Sequence, residues 1–395
     1  LLFSSHHARF IAGGASRLRK VCFVNTLAGR RELRRYSRHL LIPEVGLAGQ
    51  ERLAAARVLC IGAGGLGSPI LSYLAAAGVG RIGIMDDDVV DETNLQRQTL
   101  FGTPDIGRPK VEVAAQRLHE MNPHVAVDVI PVRFEAANAR ELVRLYDVVI
   151  DCTDRFESRY LINDACVLEG KPDVYGSIFR FDGQVSVFHY KDGPCYRCLF
   201  PAAPLAGSVP TCAEGGVLGV LAGMVGTFQA NEALKVLLGI GEALSGRLLM
   251  LDALRGATNE VRFERDPQCA VCGDHPTITD AVETALDGEL PIAGVAEVKP
   301  DALDEALTTA TLLDVREPHE AVLGLIEGAV HIPASELEAR MHELDSANSY
   351  VVACRVGQRS LWAVQRLREA GFRKLSHLQG GLLAYAAQDE FFAFF

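Results

Sequence analysis

The sequence predicts an α/β protein built as two units, the larger one organised around a glycine-rich turn. Three observations predict it. Apolar strand-like runs alternate with helical stretches from Arg57 to Gly176, and Gly62-Ala-Gly64-Gly65-Leu-Gly67 separates the first strand from the first helix. A second strand–helix series begins after Pro291. Such alternation builds a largely parallel sheet with helices on its faces. At 395 residues the chain has length for two or three domains, at roughly 100–200 residues each.

In chain order, strands are expected at Arg57–Ile61, Arg81–Asp86, Val125–Ile130, Asp147–Asp151 and Pro172–Gly176. Helices are expected at Ser68–Gly78, Val111–Met121, Ala136–Tyr146 and Ser158–Glu169. Ser177–Tyr190 alternates with period two, which predicts an antiparallel hairpin turning at Asp182-Gly183. Gly215–Asn231 is uncharged but carries Thr227, Gln229 and Asn231 and runs on into Glu232 and Lys235. It reads as a buried helix rather than a membrane span, with Gly219 and Gly223 letting another helix approach. In the second unit, strands are expected at Thr311–Val315 and Ser349–Ala353, with a helix at Ser360–Gly371. The expected boundaries are a basic leader at 1–31, a first domain at 32–275, a linker at 276–291 and a second domain at 292–390. The leader holds Arg9, Arg17, Arg19, Lys20, Arg30 and Arg31 without an acid, so it is expected to be disordered, with an organelle transit peptide as the alternative.

The net charge of −11 argues against a general nucleic-acid or membrane-surface binder, because phosphate contacts need a local cationic excess. A cytoplasmic location is expected. The glycines of the turn, Gly62, Gly64, Gly65 and Gly67, allow close approach of an anion to a helix N-terminus. Asp86, ending the second strand, is placed for ribose hydroxyls. NAD, FAD and ATP all fit that much. The polar stretch Asp91-Glu-Thr-Asn94-Leu-Gln-Arg97-Gln and the helix start Gly107-Arg-Pro-Lys110 favour ATP. Asn94, Arg97 and Lys110 are expected on a triphosphate, and Asp154 of Asp151-Cys-Thr-Asp154 on Mg²⁺. A nicotinamide-dependent oxidoreductase would leave those four residues without a task.

The Arg35-Tyr-Ser-Arg38-His segment, the glycine turn, DDDVVDETNLQRQ, GRPK, DCTD, GSIFRFDGQVSVF, PCYRCLFP and PTCAEGGVLG together resemble the MoeB/ThiF-type activating enzymes, relatives of ubiquitin-activating enzymes. The resemblance spans roughly Leu33–Gly273 and implies a Rossmann-like ATP-binding domain. It also implies a homodimer that adenylates the C-terminal Gly-Gly of a ubiquitin-like sulfur-carrier protein. It assigns Gly65, Asp86, Asn94, Arg97, Lys110 and Asp154 to ATP and Mg²⁺, and places Arg38 in the partner subunit's nucleotide site.

Cys195 and Cys198 form one C-x-x-C pair, and Cys269 and Cys272 another. Four thiolates are the ligand set of a closed structural Zn²⁺ site. Cys354, in Cys354-Arg-Val-Gly-Gln-Arg359-Ser, lies between a strand and a helix N-terminus with Arg355 and Arg359 nearby, a setting that favours a nucleophilic thiolate. This loop, with Leu312-Leu-Asp-Val-Arg-Glu-Pro and Gly328-Ala-Val-His-Ile-Pro, resembles a rhodanese domain over Ile292–Gln388. Sulfur transfer through a Cys354 persulfide is implied, fed by a cysteine desulfurase or thiosulfate. Cys212, after the stretch Phe200–Pro210, matches a cysteine that attacks the acyl intermediate in related two-domain enzymes. Cys60, Cys152 and Cys166 are expected in the core, and Trp362 in packing. Carriers for molybdenum cofactor synthesis, tRNA thiolation or thiamine synthesis are all compatible; a non-catalytic scaffold is the remaining alternative.

Overall fold

In the computed structural model, residues 30–204, 216–283, 295–322 and 324–386 are described. Arg57–Ile61 forms β1, buried at every position after the first. Its side chains alternate: Val58 and Cys60 enter the core on one face of the sheet, Leu59 and Ile61 the core on the other. That two-sided burial is what a parallel strand covered by helices requires. Each aliphatic side chain fully removed from water contributes about 1.5–3 kcal/mol.

β2 (Arg81–Met85), β3 (Ala126–Ile130), β4 (Val148–Asp151) and β5 (Asp173–Phe179) continue the parallel part. β6 (Asp182–Phe188), β7 (Arg247–Asp252) and β8 (Ala257–Arg262) add antiparallel strands, giving an eight-stranded sheet of order β3-β2-β1-β4-β5-β6-β7-β8. The order reverses between β1 and β4, and such a crevice is where open α/β sheets bind ligands. Helices α1 (Gly67–Ala77), α2 (Lys110–Met121), α3 (Ala136–Arg144), α4 (Phe156–Leu168) and α5 (Gly219–Leu238) belong to this unit.

The expected hairpin turn needs correction. The hairpin turns at Arg180-Phe181, not Asp182-Gly183: Phe179 pairs with Asp182, and Arg180 takes the left-handed φ of 52°. Gly183 instead lies in β6 beneath α5, where a Cβ would come within 2.5 Å of Val225 Cγ2. Its missing side chain serves helix-on-sheet packing. In α5, Gly219 abuts the backbone of Gln96 and Gly226 abuts Leu66 and Pro69 at the start of α1, whereas Gly223 faces open space.

The second unit is a five-stranded parallel sheet of order β11-β10-β12-β13-β9. Its strands are β9 (Ala296–Val298), β10 (Thr311–Asp314), β11 (Val330–His331), β12 (Tyr350–Ala353) and β13 (Leu375–Leu378). α6 (Gln358–Glu369) follows β12 and packs on it, with Trp362 half-buried against the same core as Val352 and Leu313. No helix among the described residues is long and apolar enough to cross a membrane.

Candidate functional site

A cavity of about 440 Å³ opens over the β1/β4 crevice. Gly62, Gly64, Gly65, Asp86, Asn94, Arg97, Lys110 and Asp154 all line it, as do Gln98, Cys152, Ser158 and Arg159. A wider hollow of about 740 Å³ bounded by Glu242, Arg247, Arg262 and Glu264 contains none of the motif residues.

The glycine turn is shaped by its neighbours. Gly62 has φ +98°, and a Cβ there would sit 3.0 Å from the Cys152 carbonyl oxygen. At Gly67 a Cβ would collide with the Gly62 carbonyl oxygen. Asp86 fastens the turn, its Oδ2 accepting from the Ala63 N–H at 2.7 Å and its Oδ1 from the Asp88 N–H at 2.9 Å. Burial raises the Asp86 carboxyl above its usual range, an effect the two N–H groups and Lys110 oppose.

Asp91 caps the turn that presents Asn94 and Arg97, accepting from the Thr93 N–H at 2.8 Å. The Arg97 stem lies 3.4 Å from a Cβ position on Gly65, and its Nη1 donates to the Thr93 carbonyl at 3.1 Å. Asn94 Oδ1 and Gln98 Oε1 are buried without a hydrogen-bond partner among the described residues, as polar atoms that serve a ligand would be. Lys110 is 4% exposed and its Nζ pairs with Asp88 Oδ2 at 2.6 Å. Asp151 Oδ1 accepts from the N–H and hydroxyl of Thr153, at 2.8 and 2.6 Å, folding the loop that leaves Asp154 exposed at the cavity. Arg159 Nη2 braces this loop through the Thr153 carbonyl and the Ser177 hydroxyl.

The motif reading missed Gln98 and Arg159. Gln98 sits inside a motif already singled out, and Arg155 and Arg159 recur at helical spacing just after Asp154. Arg38 is exposed in the short helix Ser37–Leu40 and does not line its own chain's cavity. Cys212 lies outside the described residues, as does Glu214.

The four cysteines of the two C-x-x-C pairs converge. Their sulfurs lie within 4.8 Å of one another, at 3.8 Å for Cys195–Cys198, 3.6 Å for Cys195–Cys269 and 3.3 Å for Cys198–Cys272. Hydrogen bonding from Cys195 and Cys272 pulls the Cys198 thiol down to about 2, while the same crowding pushes Cys195 up. Arg197, between Cys195 and Cys198, makes a buried two-pronged ion pair with Asp164 of α4, both bonds 2.7 Å. Asn163 Oδ1 accepts from the Tyr196 N–H at 2.7 Å. The cysteine knuckle is thereby bolted to the helix whose first turn borders the cavity.

In the second unit Cys354 is fully buried at the end of β12. The Gly357 N–H points at its Sγ from 3.1 Å, and the Ser360 hydroxyl lies 3.8 Å away. Gly357, at φ +94°, turns the chain into α6. Leu382 and Leu383 N–H groups hold the Cys354 and Arg355 carbonyls, both at 2.9 Å. Arg359 turns to Glu320. Burial opposes ionisation of Glu320, but Arg359 and the Glu317 N–H outweigh it and hold the carboxyl below its usual range.

Residues 36–271 match the ThiF family, and residues 299–388 match the rhodanese-like domain. The chain belongs to the ThiF family. This ThiF-family chain is 44% identical over 375 residues to the "Probable adenylyltransferase/sulfurtransferase MoeZ" of Mycobacterium tuberculosis, covering 91% of this chain and 94% of that one. It is 42% identical over 399 residues to the "Adenylyltransferase and sulfurtransferase MOCS3" of Bos taurus, covering 91% and 86%. The "Sulfur carrier protein adenylyltransferase" of Thermus thermophilus is 53% identical over 259 residues, covering 64% of this chain and 96% of that one. Among solved structures, E. coli MccB shares the fold with a TM-score of 0.56 at 23% identity, over 63% of this chain and 75% of that one. The chain is an enzyme: a ThiF-family adenylyltransferase followed by a rhodanese-like sulfurtransferase.

Proposed function

We propose that this chain adenylates the C-terminal Gly-Gly carboxylate of a ubiquitin-like sulfur carrier and converts it to a thiocarboxylate with sulfur held on Cys354. The observation that carries the reading is the convergence of eight motif residues on one crevice, in a chain that also sets Cys354 beneath the Gly357 N–H. A carboxylate attacking the α-phosphorus of ATP brings two anions together, so positioning and charge neutralisation decide the rate. Gly64 and Gly65 receive the phosphates, Asp86 the ribose, and Asn94, Arg97 and Lys110 the phosphate oxygens. Asp154, an exposed carboxylate at the cavity, fits Mg²⁺, which is commonly held by one or two carboxylates plus substrate phosphates and would neutralise the pyrophosphate. Four converging sulfurs fit a closed Zn²⁺ site, held by Cys195, Cys198, Cys269 and Cys272 and structural in role.

The carrier carboxylate displaces pyrophosphate and becomes an acyl-adenylate. The terminal sulfur of the Cys354 persulfide attacks the acyl carbon and displaces AMP, giving an acyl disulfide. The Cys212 thiol then attacks the Cys354 sulfur of that bond, releasing the thiocarboxylate and leaving a Cys212–Cys354 disulfide for an external thiol to reduce. The enzyme works as a cytoplasmic homodimer in which Arg38 reaches the partner's nucleotide. A cysteine desulfurase or thiosulfate supplies the sulfur, and the product serves molybdenum cofactor synthesis or tRNA thiolation. The test is pyrophosphate exchange into ATP. Exchange that requires a Gly-Gly carrier supports the reading, and NADH turnover without exchange contradicts it.

A further inference from the structure

Two thiols that the proposed chemistry does not use lie together under the glycine turn. Cys60 is the fourth residue of β1 and is fully buried; Cys152 is the first residue beyond β4 and lines the cavity. Their sulfurs are 3.5 Å apart. The Cys60 thiol donates to the Gly62 carbonyl at 3.4 Å, and the Cys152 N–H donates to the Ile61 carbonyl at 3.0 Å. The pair therefore brackets the first glycine of the turn, at the strand junction where the sheet order reverses.

We propose that Cys60 and Cys152 form a peroxide-sensitive disulfide site in the floor of the nucleotide cavity, accessible when the cavity is empty and shielded when ATP fills it. Cys152 faces the cavity and meets the oxidant; Cys60 stands behind it and resolves. The Cys152 sulfur attacks the peroxide O–O bond, forming a sulfenic acid and releasing one water. The Cys60 sulfur then attacks the Cys152 sulfur and displaces hydroxide, which leaves with the Cys60 proton as a second water. The two thiols lose two electrons and two protons, and one hydrogen peroxide becomes two waters. A dithiol reductant reverses the bond. Burial and the Cys60 neighbour push the Cys152 thiol well up, so the reaction is slow at neutral pH.

The bond has a structural consequence. A disulfide needs its sulfurs about 2.05 Å apart, so the pair must close by about 1.5 Å. Cys60 is in register with Ile150, two residues before Cys152, so closure draws the end of β4 across β1. A Cβ position on Gly62 already lies 3.0 Å from the Cys152 carbonyl oxygen. The glycine turn must shift, and nucleotide affinity falls with it.

The test uses the full chain. ATP binding by the reduced chain is measured first, which examines separately the nucleotide reading on which this inference rests. The chain is then treated with hydrogen peroxide, with and without saturating ATP and Mg²⁺, alkylated, digested without reduction and mapped by mass spectrometry. The expected result is a Cys60–Cys152 linked peptide that forms at least tenfold more slowly with ATP. A matching loss of ATP affinity should be reversed by dithiothreitol and absent in Cys60→Ala. The proposal is overturned if no such peptide forms at a dose that oxidises Cys354, or if bound ATP leaves its rate unchanged. Equal loss of ATP binding in peroxide-treated Cys60→Ala would also overturn it.

Discussion

Glu320 grips Arg359 through both carboxylate oxygens, at 2.6 and 2.7 Å, and takes a third hydrogen bond from the Glu317 N–H at 2.8 Å. Arg359 lies in the first turn of α6, directly after the loop that presents Cys354, and Glu320 in the short helix Pro318–Ala321 that follows β10. With Glu320 4% exposed, this pair is a buried strut under the loop. Removing one partner of such a pair commonly costs about 3–5 kcal/mol because the other charge is left buried.

Glu320→Ala should therefore destabilise the rhodanese-like unit by about 3 kcal/mol and lower sulfur loading of Cys354. Pyrophosphate exchange should remain at wild-type rate, because the adenylation cavity contains neither residue. Differential scanning calorimetry and exchange assays on the same preparation check both halves.

Lys110 is the cation most completely withdrawn into the nucleotide cavity, and among the described residues its ion-pair partner is Asp88. Lys110→Ala should lower ATP turnover about 100-fold, equivalent to about 2.7 kcal/mol. Asp88→Asn, which removes the tether and keeps the cation, should lower it by less than tenfold. Steady-state kinetics with varied ATP separate the two.

The Arg197–Asp164 pair predicts that the proposed zinc site and the proposed nucleotide site are linked. Extracting the metal with a chelator, or replacing Arg197 with Ala, should loosen α4 and weaken ATP binding about tenfold, roughly 1.4 kcal/mol. Calorimetric titration before and after chelation measures this. Unchanged ATP affinity in a zinc-free, folded chain would remove the linkage.

Arg144 hydrogen bonding, joined by Arg140, holds the Glu169 carboxyl down at about 2, against the burial that would raise it. A depressed carboxyl contributes stability that is present above its unfolded value of about 4.5 and lost as pH falls toward 2. Because Arg144 is largely exposed, the contribution is discounted to about 1 kcal/mol. Glu169→Gln should flatten the acid limb of the stability curve below pH ~4.5 while leaving catalysis at neutral pH unchanged. Thermal unfolding at pH steps across that range is the check.

Much of this was legible before the fold. β1, the glycine turn and Asp86 announce themselves because their spacing is local and their residue types have few other uses. The eight cavity residues named from motifs come together because the strand–turn–helix unit places its own ends at the crevice. Gln98 and Arg159 were not legible, since their convergence depends on tertiary packing. The Asp182-Gly183 turn was misplaced because a glycine required for contact with Val225 looks, in sequence, like one required for a turn. Cys152 read as a core residue; it packs against the core and also lines the cavity, because it stands one position past the end of β4.

The central claim is that one chain activates a carrier in its ThiF-family unit and thiolates it through Cys354. The most direct measurement is the mass of a Gly-Gly carrier after incubation with ATP, Mg²⁺, a sulfur donor and Cys354→Ala enzyme. The account predicts acyl-adenylate and pyrophosphate at wild-type rates with no thiocarboxylate. Thiocarboxylate formed in wild-type yield by Cys354→Ala would contradict it.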